Sequence, residues 1–143
     1  MNIRLMTIDD YDKVFEMWTT TPGMGVRSMD DSREGINKFL LRNPSTNFVA
    51  TVHEKIVGTI MCGHDGRRGY IYHTCVSDKH RKLKIGSSMV DAVLEALSKE
   101  GINKCALVVF SSNDTGNSFW QSLGWEKRED LNYYNKSINN DNM

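Results

Sequence analysis

Val76–Leu97 reads VSDKHRKLKIGSSMVDAVLEAL, a strand end, a basic turn and an amphipathic helix in direct succession. From Ile85 the apolar residues fall at Ile85, Met89, Val90, Val93, Leu94 and Leu97, the three- and four-residue spacing of a helix with one buried face. The turn before it, His80-Arg81-Lys82-Leu83-Lys84, is basic. The first N–H groups of a helix lack internal partners and carry partial positive charge, so cations placed there favour a phosphate-bearing ligand. The same pattern suits an ordinary core helix with a solvated turn, and this stretch alone leaves both readings open.

A chain of 143 residues suits a single domain, 1–143, with a core that needs no covalent staples. Eighteen Lys and Arg balance eighteen Asp and Glu, so no overall field draws the chain to nucleic acid or to an anionic membrane. Cys62, Cys75 and Cys105 are odd in number and sit in apolar runs without a CxxC pair. This argues against a disulfide framework and against a metal site. MNIRLMTIDDYDKV holds no signal-type apolar run, and no stretch approaches the roughly 20 apolar residues of a membrane span. A cytoplasmic protein is expected.

Asn2–Met6 alternates as a short strand, and Thr7 with Asp9 and Asp10 caps a helix that runs to about Trp18. A long glycine-containing loop follows, then a helix capped by Ser32 that stops near Asn43-Pro44. Asn47–Val52 and Lys55–Cys62, separated by His53-Glu54, predict a hairpin, which Tyr70–Val76 extends into a three-strand meander. Gly101 ends the long helix, and CALVVF within Lys104–Phe110 reads as a strand buried on both faces, reached by a parallel crossover. A short helix through Phe119, Trp120 and Leu123 stops at Gly124. Trp125–Arg128 and Leu131–Ile138 are expected as two terminal strands, and NNDNM as a frayed tail.

This order resembles the GNAT superfamily of acetyl-CoA-dependent N-acetyltransferases, and two motifs carry the likeness. Thr74-Cys75-Val76 followed by Arg81-Lys82-Leu83-Lys84-Ile85-Gly86 stands in register with the family's small-small-Val strand end and its Arg/Gln-x-x-Gly-x-Gly/Ala turn. Asn113, Gly116, Phe119, Trp120 and Leu123-Gly124-Trp125 match the family's second motif. The GHDGRRG hairpin is similar to that of the bacterial ribosomal-protein-alanine-acetyltransferase-like group. The resemblance implies an α+β fold with a mostly antiparallel central sheet of six to seven strands, a parallel splay at the cofactor site and about four flanking helices.

It also implies a site. The acetyl-CoA pyrophosphate is expected on the backbone N–H groups from Lys82 to Ser87, with Arg81, Lys82 or Lys84 as counter-charges and Leu83, Ile85 and Gly86 shaping the turn. The pantetheine is expected along Thr74, Cys75 and Val76, with the Val76 N–H on the thioester carbonyl and Asn113 contacting the arm. Lys84 replaces a family glycine and is expected to keep right-handed helical dihedrals. Trp120 stands where many relatives carry a tyrosine acid; an indole N–H is only a donor and cannot serve as a general acid near neutral pH, but a thiol with a pKa of roughly 8.5 leaves tolerably as thiolate.

Strand alternation is expected to put Tyr70, Tyr72 and Thr74 on one face, and Ile71, His73 and Cys75 on the other. Tyr72 is then the candidate base acting through water, or an aromatic lining the acceptor pocket, while His73 reads as a packed or surface residue. Arg27, Asp30, Tyr70 and Tyr72 are the candidate acceptor contacts. The acceptor itself, a peptide N-terminus, a lysine or a small amine, is not written in the chain, and a homodimer is compatible with the likeness. A module that binds CoA as a sensor, with little catalysis, is the second reading, motivated by Lys84 and Trp120. Nucleic-acid binding through Lys79–Lys84 lacks interleaved aromatics.

Overall fold

The computed structural model describes residues 1–143, the side chain of Lys82 excepted. The strands are β1 (Asn2–Leu5), β2 (Phe48–Val52), β3 (Lys55–His64), β4 (Gly69–Val76) and β5 (Cys105–Ala106). The helices are α1 (Tyr11–Thr20), α2 (Arg33–Arg42), α3 (Ile85–Lys99) and α4 (Asp114–Ser122). The sheet runs β1-β2-β3-β4-β5, antiparallel except for the parallel β4–β5 pair. The mixed architecture, the four helices and the parallel crossover agree with expectation.

Local chemistry accounts for the boundaries. A 3₁₀ turn over Ile8–Asp10 precedes α1, and Asp10 accepts the Thr7 N–H at 2.9 Å while Arg4 holds both carboxylate oxygens at 2.8 and 2.9 Å. Ser32 caps α2 by accepting the Gly35 N–H at 3.0 Å. His53 and Glu54 both take positive φ, 50° and 65°, the two-residue turn whose twist matches that of the flanking strands. Two cores lie on opposite faces of the sheet. One joins Ile60, Cys62 and Ile71 to α3 through Ile85, Met89, Val90 and Val93; the other joins Val49, Met61 and Cys75 to Val14, Trp18 and Ile36 of α1 and α2.

β4 does not alternate simply, which corrects the expected faces. Cys62 pairs with Ile71 and Ile60 with Thr74, so Tyr72 and His73 together oppose Met61, a β-bulge. Tyr72 meets the edge of Phe39 at 5.7 Å, and His73 packs on Trp18 at 4.6 Å. Both therefore face α1 and α2, as does Tyr70, whose ring lies 4.8 Å from that of Tyr72. Thr74, paired with Ile60 of the α3 core, points the other way. Ile71 and Cys75 belong to opposite cores.

Three further expectations change. β5 pairs only at Gly69↔Cys105 and Tyr70↔Ala106, and the next segment is not buried on both faces, with Val108 57% and Phe110 74% exposed. Among the described residues neither Trp125–Arg128 nor Leu131–Ile138 forms a strand, so the sheet has five strands rather than six to seven. With the β5 ladder ended at Ala106, no paired edge is there for them to extend. The tail is docked rather than frayed: the Asn142 amide oxygen accepts the N–H groups of Met29 and Asp30 at 3.0 Å each, and its NH₂ donates to Asp30 at 2.8 Å. Among the described residues no helix is long and apolar enough to cross a membrane.

Candidate active site

Because β4 and β5 pair only at their starts, they part toward the end of β4 and open a cleft of about 930 Å³. Tyr70 to Val76 line one wall and Leu107 to Phe110 the other; Asn113, Gly116, Phe119 and Trp120 close one end, and Thr21 to Gly25 border the opposite mouth. Gly86, on the first turn of α3, lies in the floor. A Cβ there would come within 3.0 Å of the Phe119 ring and 3.7 Å of Val76. The glycine is thus where α3, α4 and β4 meet, and it joins the two sequence motifs physically.

The turn before α3 departs from expectation at Lys84, which adopts φ 58°, ψ 27° rather than right-handed helical values. The chain reverses between the 3₁₀ turn over Asp78–Leu83 and α3, and only a left-handed residue makes that junction. A non-glycine residue there costs about 1 to 2 kcal/mol. The site keeps its turn nonetheless: the Lys84 side chain is exposed, and its carbonyl accepts the hydroxyls of Ser87 and Ser88 at 3.1 and 2.9 Å.

Of the residues expected on acetyl-CoA, Thr74, Cys75, Val76, Arg81, Gly86, Asn113 and Trp120 line the cleft, and Leu83, Lys84, Ile85 and Ser87 do not. The Lys82 side chain lies outside the described residues. Ile85 is fully buried in the α3 core and Leu83 is exposed. Arg81 is paired with Asp78 at 2.9 Å at the surface. Asn113 turns its amide oxygen back onto the Gly116 N–H at 2.9 Å and so caps α4. Trp120 is buried edge-on against Phe119 and Trp125 at 5.0 and 4.9 Å. Burial pushes the Cys75 thiol up, with the Thr21 hydroxyl 3.2 Å away only partly offsetting it, which leaves an inert packed side chain.

Tyr70 and Tyr72 enter the cleft as protonated phenols. Burial raises both, Tyr133 beside them adds to it, and Tyr70 is pushed up to about 12. Arg27 and Asp30 do not line this cleft; Asp30 is engaged by Asn142, and the Arg27 N–H donates to Asp31 at 2.6 Å. One pairing and one group escaped sequence reasoning: Asp31 is legible as a loop residue beside the acceptor groove, but its partner is not. Asp31, nearly buried, accepts from His73 Nε2 at 2.7 Å, and Tyr133 joins the cleft lining. No local signal links positions 31 and 73, and the bulge that turns His73 inward is set by pairing with β3. Among the described residues no group of three His, Cys, Asp or Glu could hold a metal.

Residues 11–125 match the model of the acetyltransferase (GNAT) family. The chain belongs to that family. It is accordingly an acyltransferase that uses acetyl-CoA as co-substrate. A Sodalis glossinidius protein named acetyltransferase is 29% identical over 131 residues, covering 92% of this chain and 91% of that protein. The name states no acceptor. Among solved structures, Ard1 from Thermoplasma volcanium superposes with a TM-score of 0.76 at 22% identity, covering 86% of this chain and 80% of that one. The PaiA N-acetyltransferase of Thermoplasma acidophilum, solved with coenzyme A, gives 0.74 at 19% identity, covering 85% and 87%. At those identities the two structures speak for the fold of this acetyltransferase.

Proposed function

We propose that this acetyltransferase moves the acetyl group of acetyl-CoA to a primary amine by direct attack in a ternary complex, within one domain spanning 1–143, in the cytoplasm. The observation that carries the reading is the cleft between the parted β4 and β5, with the start of α3 in its floor and Gly86 packed against Phe119.

In this reading the backbone from Lys82 to Ser87 and the α3 N-terminus face the pyrophosphate, with Arg81 leaving Asp78 to join it. Gly86 has no side chain to obstruct that approach. The Val76 N–H donates to the thioester carbonyl, where negative charge grows as the amine attacks. The phenols of Tyr70, Tyr72 and Tyr133 wall the acceptor side of the cleft and supply faces suited to an alkylammonium. The departing thiolate takes its proton from water, since the Trp120 indole N–H is far too weak an acid to supply one near neutral pH. Pairing of two copies through the exposed Leu131–Ile138 segment belongs to the same reading, and sedimentation equilibrium measures it.

Calorimetry with acetyl-CoA is expected to give saturable binding, and thiol release is expected to depend on an added amine. The buried Trp120 and strained Lys84 favour a second reading, a CoA sensor with little turnover. Saturable binding without amine-dependent release would select it, and absence of binding would overturn both.

A further inference from the structure

The bulge in β4 turns His73 toward α1 and α2, where its ring packs on Trp18 and its Nε2 lies 2.7 Å from Asp31 Oδ1. Asp31 is 5% exposed, and its second oxygen accepts the Arg27 N–H at 2.6 Å. Its carbonyl accepts the Tyr11 hydroxyl at 2.7 Å. A buried carboxylate so held on both oxygens requires the imidazole to donate from Nε2, which leaves the Nδ1 lone pair free. Among the described residues Nδ1 has no hydrogen-bond partner, yet it is not sealed from solvent, and His73 lines the cleft with Thr74 to Val76. One ring nitrogen is anchored and the other is unpartnered, on a residue that lines the space where thioester and amine would meet.

We propose that His73, oriented by Asp31, takes the proton from the acceptor ammonium. The inference rests on the acetyl-transfer reading above and deepens it. The ammonium proton passes to Nδ1, directly or through one water, and thence to solvent. The freed amine forms its C–N bond as the C–S bond breaks, and the electron pair leaves on sulfur. Asp31 is a positioning residue that fixes the tautomer and stabilises the positive charge that develops on the ring. The groups that face the imidazole are Asp31 from the loop, uncharged Trp18 from α1, Met61 from β3, and Tyr72 and Cys75 from β4 itself. Asp30 is turned away to Asn142. Tyr72, raised by burial, is the poorer acceptor at neutral pH.

The test measures thiol release from acetyl-CoA with spermidine, tyramine, an alanine-initiated decapeptide and a lysine-bearing decapeptide. His73→Gln keeps an N–H near the position of Nε2 for Asp31 and lacks a proton acceptor. It is expected to lower kcat about 100-fold or more, to abolish the fall in rate on the acid side of the pH profile, and to leave CoA affinity and Tm unchanged. Asp31→Asn is expected to lower kcat about tenfold at unchanged KM for acetyl-CoA. Wild-type turnover with His73→Gln within threefold of it overturns the role of His73 and leaves acetyl transfer standing. No amine-dependent release from the wild type with any of the four probes overturns both. If His73→Gln melts early, Asp31→Asn decides: a loss confined to kcat supports the proposal, and full kcat overturns it.

Discussion

Lys84 is a lysine in a left-handed conformation at the junction into α3, and the strain is local to its Cβ. Lys84→Gly relieves about 1 to 2 kcal/mol and gives back part of it through the freer unfolded chain. A net gain of about 0.5 to 1 kcal/mol is expected, seen as a rise in Tm of about 2 to 4 °C. Lys84→Ala tests the cause, because it removes the charge and keeps the Cβ; an equal rise there would refute the conformational account. The same residue shows where sequence reasoning ends. That a lysine replaces the motif glycine is plain from the chain, but the sign of its φ depends on how the preceding 3₁₀ turn meets the helix. His73 and Asp31 are a second instance, since their pairing spans 42 positions and depends on the bulge opposite Met61.

At the scale of elements, α3 and α4 are coupled through one missing side chain. Gly86→Ala places a methyl about 3.0 Å from the Phe119 ring, so that ring must give by a few tenths of an ångström, against the Trp120 edge it packs on. A loss of about 1 to 3 kcal/mol is expected, with weaker CoA binding by calorimetry. Phe119→Leu in the same chain should recover much of both; additive losses would show that the contact is not the cause. The loop before α2 depends likewise on the tail. Asn142→Ala removes the acceptor for the Met29 and Asp30 N–H groups, and hydrogen exchange at those two amides is expected to quicken while the α3 amides keep their protection. Unchanged exchange at Met29 and Asp30 would mean that the loop holds itself. Periodicity, caps and the His53-Glu54 turn made these helices and the hairpin legible, because each is written within a few residues. The terminal segments do not form strands although Leu131 and Tyr133 alternate suitably, because a strand also needs a partner, and the β5 ladder ends at Ala106.

For the molecule as a whole, acid stability turns on the junction of β1 with α1. Burial of Asp10 opposes its ionisation, but the Arg4 guanidinium and the Thr7 N–H outweigh it and hold the carboxyl below its usual range. A carboxylate depressed on folding stabilises the native state above its unfolded pKa, and that contribution is lost as pH falls through the folded value. Urea midpoints are therefore expected to drop as pH falls below the unfolded carboxyl value of about 4, and Asp10→Asn should flatten part of that fall; an identical slope in the variant would assign it elsewhere. The parted strands have a different consequence. Past Ala106 the two cleft walls present peptide N–H and C=O groups that, among the described residues, no ladder joins. A guest bearing amides of its own can then bind as an inserted length of backbone. Recognition by peptide groups is indifferent to most side-chain replacement, so lysine at 84 and tryptophan at 120 leave that mode of binding available.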